Sequence, residues 1–313
     1  MVEATSAARL DVRRADDDNR PVADEPSRIG VIGAGSWGTA LAAHLASHHV
    51  PVMLWAREPE VVDSINTEHR NALFLSDVEL PGDVTATGDL GGLVGASDLV
   101  VSAMPVQFLR KGLGGIAQLA AVDNVVTVSK GIEAGSLATP HGILVALGVA
   151  EERIVALSGP SFAREVVAGR PTAVVAAGSD ADRVTRVQRL FSRGWFRVYA
   201  SDDIVGVEIG GALKNVMALA AGVSDGLELG DNTRAAIITR GLAEITRLGV
   251  ALGGNPATFS GLSGVGDLML TSAGGLSRNR RVGVEIGRGR TLDEIRAEMH
   301  EVAEGVPTCR SAW

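Results

Sequence analysis

The sequence predicts an α/β domain built on a parallel sheet, followed by an all-helical second domain. Three observations carry this. Short β-rich runs alternate with helix-like ones over residues 28–200, the pattern of βαβ units. The runs are continuously apolar rather than alternating, as strands covered on both faces are. From Asp203 onward there is no convincing β-rich run, and apolar residues recur at helical spacing.

The first strand reads Ile29-Gly30-Val31-Ile32, and Gly33-Ala34-Gly35-Ser36-Trp37-Gly38 follows it directly, ahead of a helix-like run over residues 39–46. Strand, glycine turn and helix in that order form a Rossmann-type dinucleotide fingerprint. Gly33 permits the tight turn, Gly35 lets a pyrophosphate approach the backbone, and Gly38 lets the helix pack close to the sheet. The helix N–H groups then face the phosphates. The second strand reads as residues 51–56, and further strands as 98–103, 124–129, 154–157, 172–176 and 196–199. The fold class is therefore a doubly wound sheet over residues 28–200, with a helical substrate domain over 201–313. Residues 203–221 have helical spacing, Asn232-Thr233 reads as the cap of a helix running to about Leu248, and a glycine-rich loop over 261–266 precedes another helix.

Composition bounds the function. At 313 residues, two domains are expected. The net charge of −8 argues against a general nucleic-acid binder while leaving room for a local basic pocket. Cys309 is the single cysteine, so an internal disulfide and a cysteine-based metal cluster are excluded, and a reducing cytoplasm is the natural setting. The six histidines show no metal-ligand spacing, and no metal is expected. No apolar stretch reads as reaching the roughly 18 residues that a membrane span needs, so no stable membrane insertion is expected. Residues 1–27 are rich in Asp, Glu and Arg and lack an apolar core. They do not read as a secretory signal or a transit peptide, and are expected to be a disordered tail.

Several residues have the chemistry of a site. After the second strand, where an acid often holds the ribose 2′-hydroxyl, Arg57 comes first and Glu58 second. A guanidinium suits a 2′-phosphate, which favours NADPH, and Glu58 keeps NADH open. Lys214 lies in an apolar helix almost without other charge. Burial would lower its pKa toward the range of an acid/base catalyst, while a lysine snorkelling to solvent is the bland alternative. Lys130 closes the strand read at 124–129, at a carboxyl end where ligands of open α/β sheets bind. Ser158-Gly159-Pro160-Ser161-Phe162-Ala163 opens a helix-like run, and Ser161 suits either an anion contact or an N-cap. In the cationic run Ser277-Arg278-Asn279-Arg280-Arg281, Arg278 could clamp a phosphate, although a solvated face is the alternative. Asp267 could orient a lysine ammonium, and Thr271, four residues on, would share its helix face.

Together these runs resemble the bacterial-type NAD(P)-dependent glycerol-3-phosphate dehydrogenases. The likeness covers about residues 28–307, and includes Ser129-Lys130-Gly131, Gly211-Ala212-Leu213-Lys214-Asn215-Val216, Gly264-Val265-Gly266-Asp267-Leu268 and Val302-Ala303-Glu304-Gly305. The resemblance implies reversible reduction of dihydroxyacetone phosphate to sn-glycerol 3-phosphate, the precursor of glycerophospholipids. It implies Lys214 as proton donor and acceptor, and Lys130 as a contact of both substrate and cofactor. Gly159, Ser161, Asp267, Ser277, Arg278 and Asn279 would line the substrate site. Ser36, Trp37, Arg57, Ala163, Arg278, Val302 and Glu304 would touch NADPH or NADH, with Asn215 and Thr271 in support. The expected partner is a small-molecule phosphate ester, with a homodimer as one option. Two alternatives stay open: a 3-hydroxyacid or ketopantoate-type reductase, and a non-catalytic NADPH-binding protein. The ending at residues 307–313 does not resemble the family's continuation, and a shortened second domain with exposed apolar surface is expected from it.

Overall fold

The computed structural model describes residues 26–299 and 302–312. Residues 1–25 of the expected tail lie outside the described residues. The Ser27 hydroxyl donates to Asp98 at 2.7 Å.

Among the described residues eight strands form one sheet: β1 (Ile29–Ile32), β2 (Val52–Trp55), β3 (Val84–Thr87), β4 (Leu99–Ser102), β5 (Asn124–Thr127), β6 (Ile154–Ser158), β7 (Thr172–Ala177) and β8 (Phe196–Ser201). Their order is β3-β2-β1-β4-β5-β6-β7-β8. Every neighbouring pair is parallel except β6 and β7. Strands β1, β4, β5 and β6 are buried along their whole length, which explains their continuous apolar character: helices cover both faces. The sequence reading names seven of the eight strands. It misses β3, an edge strand reading Val-Thr-Ala-Thr whose burial alternates, so its sequence has no apolar run to give it away. The chain proceeds outward from β1 to β3 and then returns to β4 beside β1. That reversal opens a crevice at the carboxyl ends of β1 and β4, where such sheets bind ligands.

The second domain is organised around one 23-residue helix, Ile204–Gly226. Asp203 caps it, accepting from Gly206 N at 2.8 Å, and also accepts from Asn255 N at 2.9 Å and the Thr258 hydroxyl at 2.5 Å. This helix is long and apolar enough to cross a membrane, with 78% of its most apolar window buried inside the protein. The expectation that no stretch reaches that length is thus corrected. Glu208 and Lys214 punctuate the run in sequence, and both are buried against other elements.

The helix Gly230–Ala251 begins before Asn232-Thr233, so that pair is not its cap. Thr233 instead donates its hydroxyl back to Leu229 O at 2.9 Å. The glycine-rich stretch after Gly261 is a π-helical turn, Leu262–Gly266, that runs straight into the helix Asp267–Ala273. Residues Gly305–Ala312 form a helix in which Thr308 is buried and Ser311 donates to Ile132 O at 3.2 Å. Exposed leucines do occur at helix ends, at Leu227, Leu229, Leu248 and Leu252.

A glycine seam joins the helices Ile204–Gly226 and Arg278–Gly287. A Cβ on Gly222 would lie 2.1 Å from Arg280 O, one on Gly283 2.2 Å from Leu219 O, and one on Gly226 2.3 Å from Val284 O. Backbone meets backbone there, and no side chain fits. The register of this seam sets Asn279 beside Asn215, one residue from Lys214.

Gly283→Leu is therefore expected to lower the unfolding free energy by about 1–3 kcal/mol through overpacking. Gly35→Ala, whose methyl would meet no atom within 4 Å, should leave it within about 0.5 kcal/mol. Denaturant unfolding followed by circular dichroism checks both, and equal effects would contradict the seam.

Candidate active site

The glycine turn has the geometry that a dinucleotide needs. Gly33 takes φ 109°, a left-handed conformation that favours glycine. A Cβ on Gly38 would lie 1.9 Å from Gly33 O, so the helix Ser36–Ala46 sits directly on the turn. The space over Gly35 is open, and the helix has no side-chain cap. Its first N–H groups are therefore left for an anion. Asn71, fully buried, donates to Ala34 O at 2.7 Å and to the Thr39 hydroxyl at 2.8 Å, fixing the turn from behind. The Ser36 hydroxyl donates to Phe74 O at 3.0 Å.

The polar centre lies where the two domains meet. Lys214 is 7% exposed and Asp267 is 1% exposed. Lys214 Nζ donates to Asp267 Oδ1 at 2.5 Å and to Thr271 Oγ1 at 2.8 Å. Lys130 Nζ donates to the other oxygen, Oδ2, at 2.6 Å, and to Gly159 O at 3.2 Å. One carboxylate thus holds two ammonium groups from two domains. Burial pushes Lys214 down to about 8; Asp267 opposes that fall, and Lys130 adds to it. Burial would raise Asp267, but the two lysines outweigh it and hold the carboxyl below its ordinary range.

A cavity of about 440 Å³ opens from this centre toward the glycine turn. Its floor includes Lys130, Lys214, Asn215 and Thr271, and its cofactor side includes Ser36, Trp37 and Ala163. The far wall is the start of the helix Arg278–Gly287, with Ser277, Arg278 and Asn279, and is completed by Val302 and Glu304. Ser277 caps that helix, accepting from Arg280 N at 3.2 Å. Asn279 donates to Asn215 Oδ1 at 2.9 Å and accepts from Gly305 N at 2.9 Å. One amide hydrogen of Asn279 then remains beyond these two bonds. Glu304 accepts from Val106 N, at the start of the helix Val106–Leu113, at 3.1 Å. Burial pushes its carboxyl above the usual range, with that N–H and the cations Arg278, Lys130 and Lys214 pulling the other way.

Six expected residues are not among those lining the cavity: Gly33, Gly35 and Gly38, which form the glycine turn itself, and Arg57, Gly159 and Asp267. Arg57, 79% exposed, is paired with Glu58 at 2.6 Å at the end of β2. Gly159 contributes its carbonyl to Lys130, and Asp267 lies beneath the floor. Ser161 is not an N-cap: Phe162 occupies that position of the helix Ala163–Val167, and the Ser161 hydroxyl donates to Gly159 O at 3.0 Å. Sequence reasoning missed Phe74, Phe162 and Arg164, which also line the cavity. They belong to loop segments and a five-residue helix that carry no periodic signal. An ion pair between Arg164 and Asp77 links two of those segments.

The models of NAD-dependent glycerol-3-phosphate dehydrogenase match this chain at residues 28–184 (N-terminus) and 203–313 (C-terminus). The chain belongs to this family. The C-terminal match runs to residue 313, which includes the ending that the sequence reading sets apart. A relative from Geobacter metallireducens, named glycerol-3-phosphate dehydrogenase (NAD(P)+), is 53% identical over 289 residues, 91% of this chain and 86% of the relative. The solved glycerol-3-phosphate dehydrogenase from Coxiella burnetii superposes with a TM-score of 0.86 at 36% identity, covering 91% of this chain and 88% of that one. The corresponding enzyme from Saccharomyces cerevisiae gives 0.76 at 30% identity, covering 92% and 89%. This glycerol-3-phosphate dehydrogenase family member thus has the Rossmann-type sheet domain and the helical domain that its sequence predicts, with one strand more than expected and one antiparallel pair.

Asp267→Asn removes the charge that keeps Lys214 protonated. The Lys214 midpoint is expected to fall by about one pH unit or more from its position near 8. An NMR titration of labelled lysine Cε resonances reads this, and an unmoved midpoint would contradict the pairing.

Proposed function

We propose that this chain catalyses reversible, NAD(P)H-dependent reduction of dihydroxyacetone phosphate to sn-glycerol 3-phosphate, supplying glycerophospholipid synthesis in a reducing cytoplasm. The single cysteine supports that setting. The observation that carries the reading is the buried Lys214–Asp267–Lys130 array at the floor of a cavity whose far wall presents Arg278 and Asn279. The open glycine turn and the uncapped helix behind it fit a dinucleotide, held by Ser36, Trp37, Ala163 and Glu304.

Each residue then has a physical task. Arg278 and the free amide hydrogen of Asn279 hold the substrate phosphate, and so place the ketone without touching it. Lys214 Nζ faces the ketone oxygen, stabilises the negative charge that grows there, and gives up its proton to make the hydroxyl. Lys130 adds a second positive charge to the same field. Asp267 pairs with both lysines and opposes the fall that burial imposes on Lys214, and Thr271 fixes the direction of Nζ. A nicotinamide cofactor, held by Ser36, Trp37, Ala163 and Glu304, would supply the hydride for the ketone carbon, or take it up in reverse. Oxidation needs the neutral amine as base. Arg57, outside the cavity, is suited to a 2′-phosphate once it turns from Glu58. A homodimer is the assembly to test by light scattering.

Purified chain should oxidise NADPH only when dihydroxyacetone phosphate is added. Lys214→Ala should lower kcat by about 10²–10⁴-fold while NADPH affinity stays nearly unchanged; an unchanged rate would remove Lys214 from this role. Because Lys214 loses its proton through about 8, the reduction rate should fall as pH rises past that point. The oxidation rate should climb through the same range and level off above it. Arg57→Glu should weaken NADPH more than NADH, and equal weakening would show that Arg57 does not read the 2′-phosphate.

A further inference from the structure

We propose that Arg281 is a further ligand-binding residue of this site, taking a phosphate group of the bound substrate or cofactor. The inference rests on the dehydrogenase reading above. It starts from a cationic run in an otherwise acidic chain, net −8.

The structure divides the arginines of that run. Arg280 turns toward the long helix and is neutralised there: its Nε and Nη2 donate to Asp225 at 2.7 and 2.6 Å, and Asp225 also holds Arg234 at 2.9 Å. Arg281 is exposed and lines the cavity. It follows Arg278 by three residues on one helix, so both lie on the same face. Among the described residues no carboxylate stands within ion-pair distance of Arg281. Across the cavity, Arg164 is already paired with Asp77.

A guanidinium without a carboxylate keeps its full field, and here that field is directed into a cavity that phosphates must enter. It adds to the positive end of the helix on which it stands. The forked N–H groups of arginine match phosphate oxygens two at a time. Arg281 is solvent-exposed and makes no ion pair among the described residues, so its replacement leaves the core untouched.

The test is equilibrium binding by titration calorimetry, without turnover, of sn-glycerol 3-phosphate, inorganic phosphate, NADPH and NADH. The unaltered chain, Arg281→Gln and Arg281→Lys are compared, with melting curves as a check on folding. Arg281→Gln should weaken at least one phosphate-bearing ligand by about 5- to 20-fold, and Arg281→Lys should recover part of the loss. Weakening of glycerol 3-phosphate and inorganic phosphate alone assigns the substrate phosphate. Equal weakening of NADPH and NADH assigns the diphosphate, and weakening of NADPH alone the 2′-phosphate. Unchanged affinity for all four ligands, at an unchanged melting temperature, overturns the proposal. Failure of the unaltered chain to turn over dihydroxyacetone phosphate would overturn the dehydrogenase reading itself, whereas turnover with indifferent Arg281→Gln binding would remove this inference alone.

Discussion

The site depends on one carboxylate shared between two ammonium groups. Asp267 lies between Lys130, from the end of the sheet domain, and Lys214, from the long helix of the second domain. Lys214 is costly to bury without it, since burial strips an ammonium of its hydration and lowers its pKa. The arrangement is net positive even after pairing. That surplus charge is what a cavity needs if it is to draw in an anionic substrate and stabilise a developing oxyanion. The same three residues also join the sheet domain to the helical one, so the ion pairs of the site are also contacts between domains.

Much of the molecule was legible in its sequence because its signals are local. The glycine turn could be read residue by residue, since each glycine answers to a separate steric demand that recurs wherever a strand enters a helix over a phosphate. The buried strands β1, β4, β5 and β6 were legible as apolar runs. Lys214 stood out because a charge inside an apolar helix is costly and needs a reason. What escaped were features whose cause lies elsewhere in the chain. Strand β3 forms at an edge through pairing with β2, and its own residues carry little preference. Thr233 has the chemistry of a cap but lies inside a helix, because the turn is made by Glu228 and Gly230 in left-handed conformations. Ser161 has the chemistry of a cap as well, yet its hydroxyl goes to Gly159.

The site residues divide in the same way. Lys130, Lys214, Asp267 and Thr271 could be named in sequence as residue types suited to the chemistry, but their convergence could not: Lys130 and Asp267 are 137 residues apart. Asn279 and Asn215 illustrate the gap further. Their residue types suggest ligand contacts, whereas the structure also engages part of their hydrogen-bonding capacity with each other and with Gly305. They brace the wall before they touch anything bound to it. Phe74 and Arg164 had no signal at all: Phe74 lies in the loop that Asn71 fastens to the glycine turn, and Arg164 reaches the same loop from a five-residue helix through Asp77.

The seam of glycines between Ile204–Gly226 and Arg278–Gly287 has one more consequence. Helices touching through their main chains have no side chains to repack, and so no graded way to slide. The main chain at the head of the second helix is therefore held at a set place beside Asn215 and Lys214. Gly222, Gly226 and Gly283 thus act as a fixed gauge, setting where the head of the second helix stands relative to the amine on the first.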